Sequence, residues 1–189
     1  KTTVIHLWDK QLTSLKGVEK LTQLTALWLQ NNQLTDVIII GKLRNLTHLS
    51  VQNNRLRTIN GLENLANLQY LYLDENQLIE VKGLTKLIKL KHLTLDENKL
   101  TSVEGLEVLA GLTDLGLRNN RLRSIKGLEK LTQLKSLNLH GNQLTDVKGL
   151  EKLTRLRELH LRENPGLTRV KIAELKEALP RCKIFSNAK

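Results

Sequence analysis

The sequence has little of several residue types on which small folds often depend. It contains one cysteine, Cys182, in 189 residues, so an internal disulfide framework is excluded. It has two prolines and no methionine, and aromatic residues make up only 3%. No apolar run approaches the roughly 20 residues that a membrane-spanning helix needs, and no signal peptide is recognisable. We therefore expect no membrane span, and the localisation stays unassigned.

What the sequence does contain is a strict repeat. Asparagine recurs every 22 residues, each time inside the frame L-x-x-L-x-L-x-x-N-x-L. Two examples are LTALWLQNNQL at 24–34 and LKHLTLDENKL at 90–100. A fixed period of this length predicts an array in which each unit packs against its neighbours. The asparagines of this ladder are Asn32, Asn54, Asn76, Asn98, Asn120, Asn142 and Asn164.

The frame resembles the leucine-rich repeat family, and the segment V-x-G-L-x-x-L that follows it is similar to the internalin and phosphatase-regulator subclasses. The resemblance covers nearly the whole chain. It implies an α/β solenoid, that is, a curved array with a concave parallel β-sheet and short convex helical segments of 3₁₀ or α type. It also implies a bacterial protein, and a ladder whose asparagine side chains satisfy backbone groups where each strand ends.

One repeat, residues 134–155, illustrates the expected structure. Leu137 and Leu139 alternate with polar residues, which predicts a short strand whose leucines point inward. Gly149 opens the segment GLEKL, in which Leu150 and Leu153 lie three residues apart on one side of a helical turn. We predict eight such repeats in residues 1–164, followed by a capping helix and tail in residues 165–189.

The two ends depart from the repeat. Lys10 stands where the ladder asparagine is expected, and no capping segment precedes it, so the first strand should leave an exposed sheet edge. Because the chain opens in mid-repeat, we expect it to be part of a longer protein. Near the other end, Val170, Leu175 and Leu179 predict an amphipathic helix that stops before Pro180. The apolar residues after it predict a closing strand.

Strand alternation also predicts which residues are open on the concave side. The third, fifth and seventh positions of each frame point away from the core leucines. Both tryptophans, both tyrosines and all five histidines occupy these 24 positions, whereas random placement would put about one of the nine there. Among the aromatic residues, only Phe185 falls outside this set. The predicted contact residues are His6, Trp8, Trp28, His48, Tyr70, Tyr72, Asp74, His92, Asp96, Asp114, Arg118, His140, His160 and Arg162.

The charge pattern separates this face from the rest of the chain. Net charge is +11. With the eighth position of each frame, which adds Asp9, Glu75, Glu97 and Glu163, the predicted concave band carries eight acids and two arginines, a formal −6, so the remainder carries +17. Lysine recurs in two outer columns, which is typical of a solvated face. A nucleic-acid partner is disfavoured, because the rings that could stack on bases lie on the acidic face, which repels phosphate.

The sequence shows no catalytic or metal-binding spacing. It contains no HExxH, CxxC or glycine-rich phosphate loop. The histidines fall on mostly non-adjacent repeats, whereas zinc usually needs three or four converging ligands. We therefore expect no metal, no cofactor and no enzymatic activity. His92 beside Asp96 and Asp114 leads to the hypothesis that binding depends on pH near neutrality.

The sequence thus favours a module that binds another protein, one with a basic surface patch, on the aromatic and acidic face. Trp8, Trp28, Tyr70 and Tyr72 are the expected anchors, because aromatic side chains dominate protein–protein contacts. Two other interpretations stay open. The exposed first strand and the apolar residues 38–39 would suit a homodimer or scaffold. An engineered repeat protein is the third interpretation, because NQLTDV occurs twice.

Overall fold

The computed structural model describes residues 3–188; residues 1, 2 and 189, which belong to the two predicted units, lie outside it. The described chain forms one open sheet of nine parallel strands, arranged in chain order. This confirms the predicted α/β solenoid. The strands are β1 Val4–His6, β2 Ala26–Trp28, β3 His48–Ser50, β4 Tyr70–Tyr72, β5 His92–Thr94, β6 Asp114–Gly116, β7 Ser136–Asn138, β8 Glu158–His160 and β9 Lys183–Phe185.

The strand register follows the repeat. From β1 to β8, paired residues are 22 positions apart, as Leu27 and Leu49 are. The middle residue of a strand points into the core, and both of these leucines have no exposed surface. We call the opposite side the concave face; it comprises the first and third residues of each strand and the residue two positions after the strand.

Short 3₁₀ helices form the outer layer in most repeats. Where the repeat has glycine before the helix, as at Gly61, φ is 98°, a region that L-residues rarely adopt. The N–H of Gly61 donates to Glu63 Oε2 at 2.7 Å. Within residues 3–188 these helices are Val18–Lys20, Ile38–Lys42, Leu62–Asn64, Leu106–Val108, Leu128–Lys130 and Leu150–Lys152.

The second repeat departs from this pattern because isoleucine replaces the glycine. Its helix, Ile38–Lys42, has five residues instead of three. Ile38 is 60% exposed, whereas Ile39 packs partly buried against the core. Of the two apolar residues 38–39 noted in the sequence, Ile38 alone is strongly exposed, and it lies in the outer helix.

The ladder asparagines join consecutive repeats. Asn120 shows the pattern: its Nδ2 donates to Leu117 O of its own repeat at 3.2 Å and to Leu95 O of the preceding repeat at 2.9 Å. Its Oδ1 accepts the N–H of Leu100 at 3.0 Å. All seven ladder asparagines are buried. Each one therefore supplies both a donor and an acceptor to backbone groups that water cannot reach.

The C-terminal helix, α1, spans Arg169–Ala178, and its final turn precedes Pro180 as expected. Ile172, Leu175 and Leu179 are buried, so they form its apolar side. The prediction that Val170 belongs to that side is wrong, since Val170 is 66% exposed; it lies off the 3–4 residue spacing of the buried positions. The separation of the chain into a repeat unit and a capping unit stays a prediction.

The first repeat is packed less completely than the others. Ile5 and Leu7 are only partly buried against the core, whereas Leu27 and Leu29, their equivalents one repeat later, have no exposed surface. The longest helix among the described residues is α1. No helix in that part of the chain is long and apolar enough to cross a membrane.

Candidate functional site

The structure places the predicted contact residues on the concave face. None of the fourteen is fully buried, and their role in binding stays a prediction. Eight are the first or third residue of a strand: His6, Trp28, His48, Tyr70, Tyr72, His92, Asp114 and His160. Six lie two residues past a strand: Trp8, Asp74, Asp96, Arg118, His140 and Arg162.

A first ring row runs across β3, β4 and β5 and consists of His48, Tyr70 and His92. Neighbouring ring centroids are 4.3 and 4.7 Å apart, and the ring planes are tilted by only 9° and 11°. The row ends at Asp114, whose Oδ2 lies 3.1 Å from His92 Nδ1. The phenol is held between two imidazoles, which restricts its rotamers before any partner arrives.

A second ring row consists of His6, Trp28 and Tyr72. Their centroids are 6.2 and 6.3 Å apart. Trp28 and Tyr72 belong to β2 and β4, and Ser50 of β3 lies between them with no exposed surface. The two large rings therefore close over the small residue, and the concave face becomes a nearly continuous aromatic patch at this end.

Beside the second ring row lie Asp74 and Asp96, which also stabilise the backbone. Asp74 Oδ1 accepts the N–H of Asp96 at 2.9 Å, and Asp96 Oδ1 accepts the N–H of Arg118 at 2.7 Å. Each carboxylate thus accepts the backbone N–H of the residue two positions past the end of the neighbouring strand. The Oδ2 of Asp74 also accepts from Thr94 Oγ1 at 2.7 Å. These two acids therefore have a structural role that sequence reasoning missed.

Asp96 is the most perturbed acid on this face. Burial raises its pKa from 3.8 to about 6; the hydrogen bond from Arg118 N–H opposes this shift, and the negative charge of Asp74 adds to it. Gly116 makes the close approach feasible, because a Cβ there would lie 2.7 Å from Asp96 Oδ1. Burial likewise raises the pKa of Tyr72, and the nearby Tyr70 and Asp74 raise it further.

The far end of the concave face differs from the sequence prediction. Phe185 was expected outside this face, and that prediction is wrong: its ring stacks on His160 at 4.5 Å. The reason is that β9 pairs with β8 at an interval of 25 residues, which places Phe185 opposite His160. The 22-residue period does not predict this register. Lys183 Nζ lies 4.8 Å and Arg162 Cζ 5.8 Å from the Phe185 ring centroid, so this end is both aromatic and basic.

Over residues 3–188, no group of three or more His, Cys, Asp or Glu side chains is arranged to hold a metal ion. His160 Nε2 instead contacts Glu158 Oε1 at 2.9 Å. Cys182 is half-buried, and burial raises the pKa of its thiol, which disfavours the reactive thiolate.

Comparison with known proteins agrees with this architecture. The family described as "Leucine Rich repeats (2 copies)" matches residues 22–64, 44–89, 66–108, 110–147 and 132–177. No curated protein sequence matches closely enough to serve as a relative. Among solved structures, internalin C2 from Listeria monocytogenes has a TM-score of 0.91 and 26% identity, with 98% of this chain and 80% of that one covered.

Two other solved structures are more similar in sequence but much longer. A leucine-rich repeat protein of Leptospira interrogans has a TM-score of 0.82 and 38% identity, with 89% of this chain and 45% of that one covered. The ectodomain of the plant receptor kinase GASSHO1/SCHENGEN3 from Arabidopsis thaliana, in complex with CASPARIAN STRIP INTEGRITY FACTOR 2, has a TM-score of 0.69 and 31% identity. The match covers 80% of this chain but only 19% of the receptor chain.

Proposed function

Because this chain belongs to the leucine-rich repeat family, whose fold generally serves as a protein-interaction module, we propose that it binds another protein on its concave face. The observation that carries the proposal is the pair of ring rows. They place large, half-buried aromatic side chains side by side on an open sheet. Such side chains are enriched among the residues that dominate binding energy at protein interfaces.

The anchors of this interface are Trp8, Trp28, Tyr70 and Tyr72. Stacking holds three of them against neighbouring rings, so that little side-chain entropy remains to be lost on binding. Trp8 is 39% exposed and lies 5.5 Å from His6, centroid to centroid. A partner that buries these rings gains apolar contact at a small cost in ordering.

Charge sets the chemistry of the partner. Asp74 and Asp96 lie beside the second ring row and Asp114 at the end of the first, and among the described residues none of the three carboxylates has a lysine or arginine side chain within 4.0 Å. A basic patch on the partner would supply the missing cations, which favours association and correct register. Arg118 and Arg162 place the opposite charge further along the face, so they would face acidic groups of the same partner.

An open face suits binding better than catalysis. Small-molecule sites are usually concave pockets that exclude water around a few polar groups, whereas the ring rows lie on an exposed sheet. The fold family, too, is typically a binding scaffold. We therefore assign the protein no enzymatic reaction, and no cofactor or metal enters the proposal.

The experiment compares two double substitutions. Trp28→Ala with Tyr72→Ala removes the centre of the second ring row. Ile88→Ala with Val108→Ala is the matched control, because both residues are exposed apolar side chains outside the concave face. Each protein captures partners from cells of the source organism, mass spectrometry identifies them, and calorimetry measures the Kd of each purified partner. We expect binding about 100-fold weaker for the ring variant and unchanged for the control.

A homodimer is the second candidate. It is favoured by the partly buried Ile5 and Leu7 of the first repeat, which a second copy of the chain could cover. Sedimentation of the wild-type protein over a range of concentrations separates the two candidates. If the ring variant keeps its partner while the protein self-associates at low concentration, the scaffold interpretation replaces the proposed function.

A further inference from the structure

The positive charge of the chain is concentrated on its two flanks. The outer face carries nine lysines and nine carboxylates, so it has no net charge. This face comprises residues 14–20, 36–42, 58–64, 80–86, 102–108, 124–130 and 146–152. The outer lysine columns therefore do not explain the net charge of +11, and its source must be sought between the two faces.

One flank lies where the strands end, between each ladder asparagine and the outer face. We call it the strand-end flank. It carries five cations and no acid: Arg55, Arg57, Lys99, Arg121 and Arg123.

The opposite flank, where the strands start, carries six cations and also no acid. These are Arg44, Lys89, Lys91, Lys135, Arg155 and Arg157. Several of them already have partners in an adjacent repeat: Lys89 Nζ donates to Asn67 Oδ1 at 2.8 Å, and Arg155 donates to Gln133 Oε1.

The strand-end flank is more available to a ligand. All five of its cations are exposed. Within residues 3–188 none of them lies within 4.0 Å of a carboxylate oxygen, and the one side-chain hydrogen bond recorded for them joins Arg123 Nε to Gln143 Oε1 at 3.2 Å. Guanidinium groups present paired donors that match tetrahedral oxyanions, and four of the five cations are arginine.

The shape of this flank restricts the ligand. The cations form a narrow row, because Glu75 and Glu97 border it on the concave side and Glu80 and Glu104 border it on the outer side. Strands lie about 4.8 Å apart, so the row from Arg55 to Arg121, which covers four repeats and three strand spacings, extends about 15 Å. A nucleic-acid duplex is wider than the row, so its phosphates would lie against the bordering acids, which repel them. A single-stranded nucleic acid usually binds by stacking its bases on aromatic side chains. The five aromatic residues of the chain all lie on the concave face, so this flank offers none.

We propose that the strand-end flank binds a linear sulfated polysaccharide. A single sugar chain is slim enough to follow the row, and its sulfate groups recur at intervals comparable to the strand spacing. Ile79, 60% exposed, lies in the row between Arg57 and Lys99 and offers an apolar contact for the C–H face of a sugar ring. The concave face takes no part, so this site and the protein-binding face can be occupied together.

The test uses a fluorescently labelled short heparin fragment in about 0.15 M salt. One variant carries Arg55→Gln, Arg57→Gln, Arg121→Gln and Arg123→Gln. The control carries Lys91→Gln, Lys135→Gln, Arg155→Gln and Arg157→Gln, which removes the same charge from the opposite flank. We expect binding at least about 30-fold weaker for the first and less than about threefold weaker for the second, because only cations in contact release counterions.

Three outcomes would overturn the proposal. The first is no binding of heparin to the wild-type protein at this salt concentration. The second is an equal loss of affinity in both variants, which means that overall charge alone attracts the ligand. The third is equally tight binding of duplex DNA or of fully desulfated heparin, which removes the preference for a slim sulfated chain. Circular dichroism confirms that each variant is folded before its affinity is compared.

Discussion

Substitution of the ladder residue Asn120 by aspartate should destabilise the protein by about 4 kcal/mol at pH 7. In the wild type, Nδ2 donates to Leu117 O, Leu95 O and Arg118 O, while Oδ1 accepts from Leu100 N. Aspartate has nearly the same shape and keeps the acceptor. It places an oxygen instead of a donor against three carbonyl oxygens, and the site is buried.

Urea denaturation measures this loss, and its pH dependence identifies the cause. A buried carboxylate without a cation binds protons more tightly in the folded state, so the variant should recover stability as pH falls towards 4. Asn45→Asp is the control, because Asn45 is exposed and makes one recorded bond, to Thr22 O at 2.9 Å; it should cost about 0.5 kcal/mol or less. If Asn120→Asp costs no more than Asn45→Asp, the ladder does not hold the repeats together.

Asp96→Asn should have the opposite effect and stabilise the protein at neutral pH. Because the pKa of Asp96 is raised from 3.8 to about 6, the folded state binds more protons than the unfolded state between about pH 4 and 6. The contribution of Asp96 to wild-type stability should therefore fall as pH rises through that window, by at most about 3 kcal/mol, since part of the carboxylate is screened by solvent. Asparagine keeps an acceptor for the N–H of Arg118 and carries no charge.

The measurement is the free energy of unfolding from urea titrations at several pH values. The Asp96→Asn variant should lose the decline between pH 4 and 6 and should exceed the wild type at pH 7. Glu174→Gln, which removes an exposed carboxylate from α1, serves as the control and should keep the wild-type profile. A stability difference between the variant and the wild type that stays constant across the same window would contradict the account of Asp96.

The same variant also tests function. If Asp96 selects a basic partner, its neutral replacement should stabilise the fold and weaken binding about tenfold. A residue with a purely structural role would not affect partner affinity in this way. Retaining a buried charge that destabilises the fold is common where binding needs it.

The sequence predicts the repeat architecture well because one physical pattern recurs seven times. Leu137 and Leu139 alternate with polar residues, and that alternation is enough to place strands, core and concave face. Asn142 is recognisable by its spacing alone. The structure adds that each ladder side chain contacts both its own repeat and the preceding one, a contact between repeats that no single frame contains.

Predictions failed where a residue depends on contacts outside the period. Phe185 joins the concave face only because α1 intervenes and β9 then pairs at a new interval. Glu75 and Glu97 looked like ordinary members of the acidic band, yet their φ values are 53° and 55°, in the left-handed region that favours glycine and asparagine. Gly141 occupies the same position of its repeat, and a glycine there was the signal that this position adopts a left-handed backbone.

The structural roles of Asp74 and Asp96 were also invisible in the sequence. Each accepts a backbone N–H 22 residues further along the chain, so the contact exists only once the strands are paired. Composition predicted an acidic contact strip there, and that role stays a prediction. The practical consequence is that a binding test should not rely on alanine at these two positions, since the backbone would lose its acceptors as well.

Tryptophan fluorescence tests most directly whether a partner protein binds across the ring rows. Both tryptophans of the chain, Trp8 and Trp28, lie on the concave face. Titration with a purified partner that lacks tryptophan should therefore shift their emission to shorter wavelength as the indoles leave water, with a midpoint at the calorimetric Kd. Binding that saturates in the calorimeter and leaves the emission unchanged would place the partner elsewhere and contradict the proposed function.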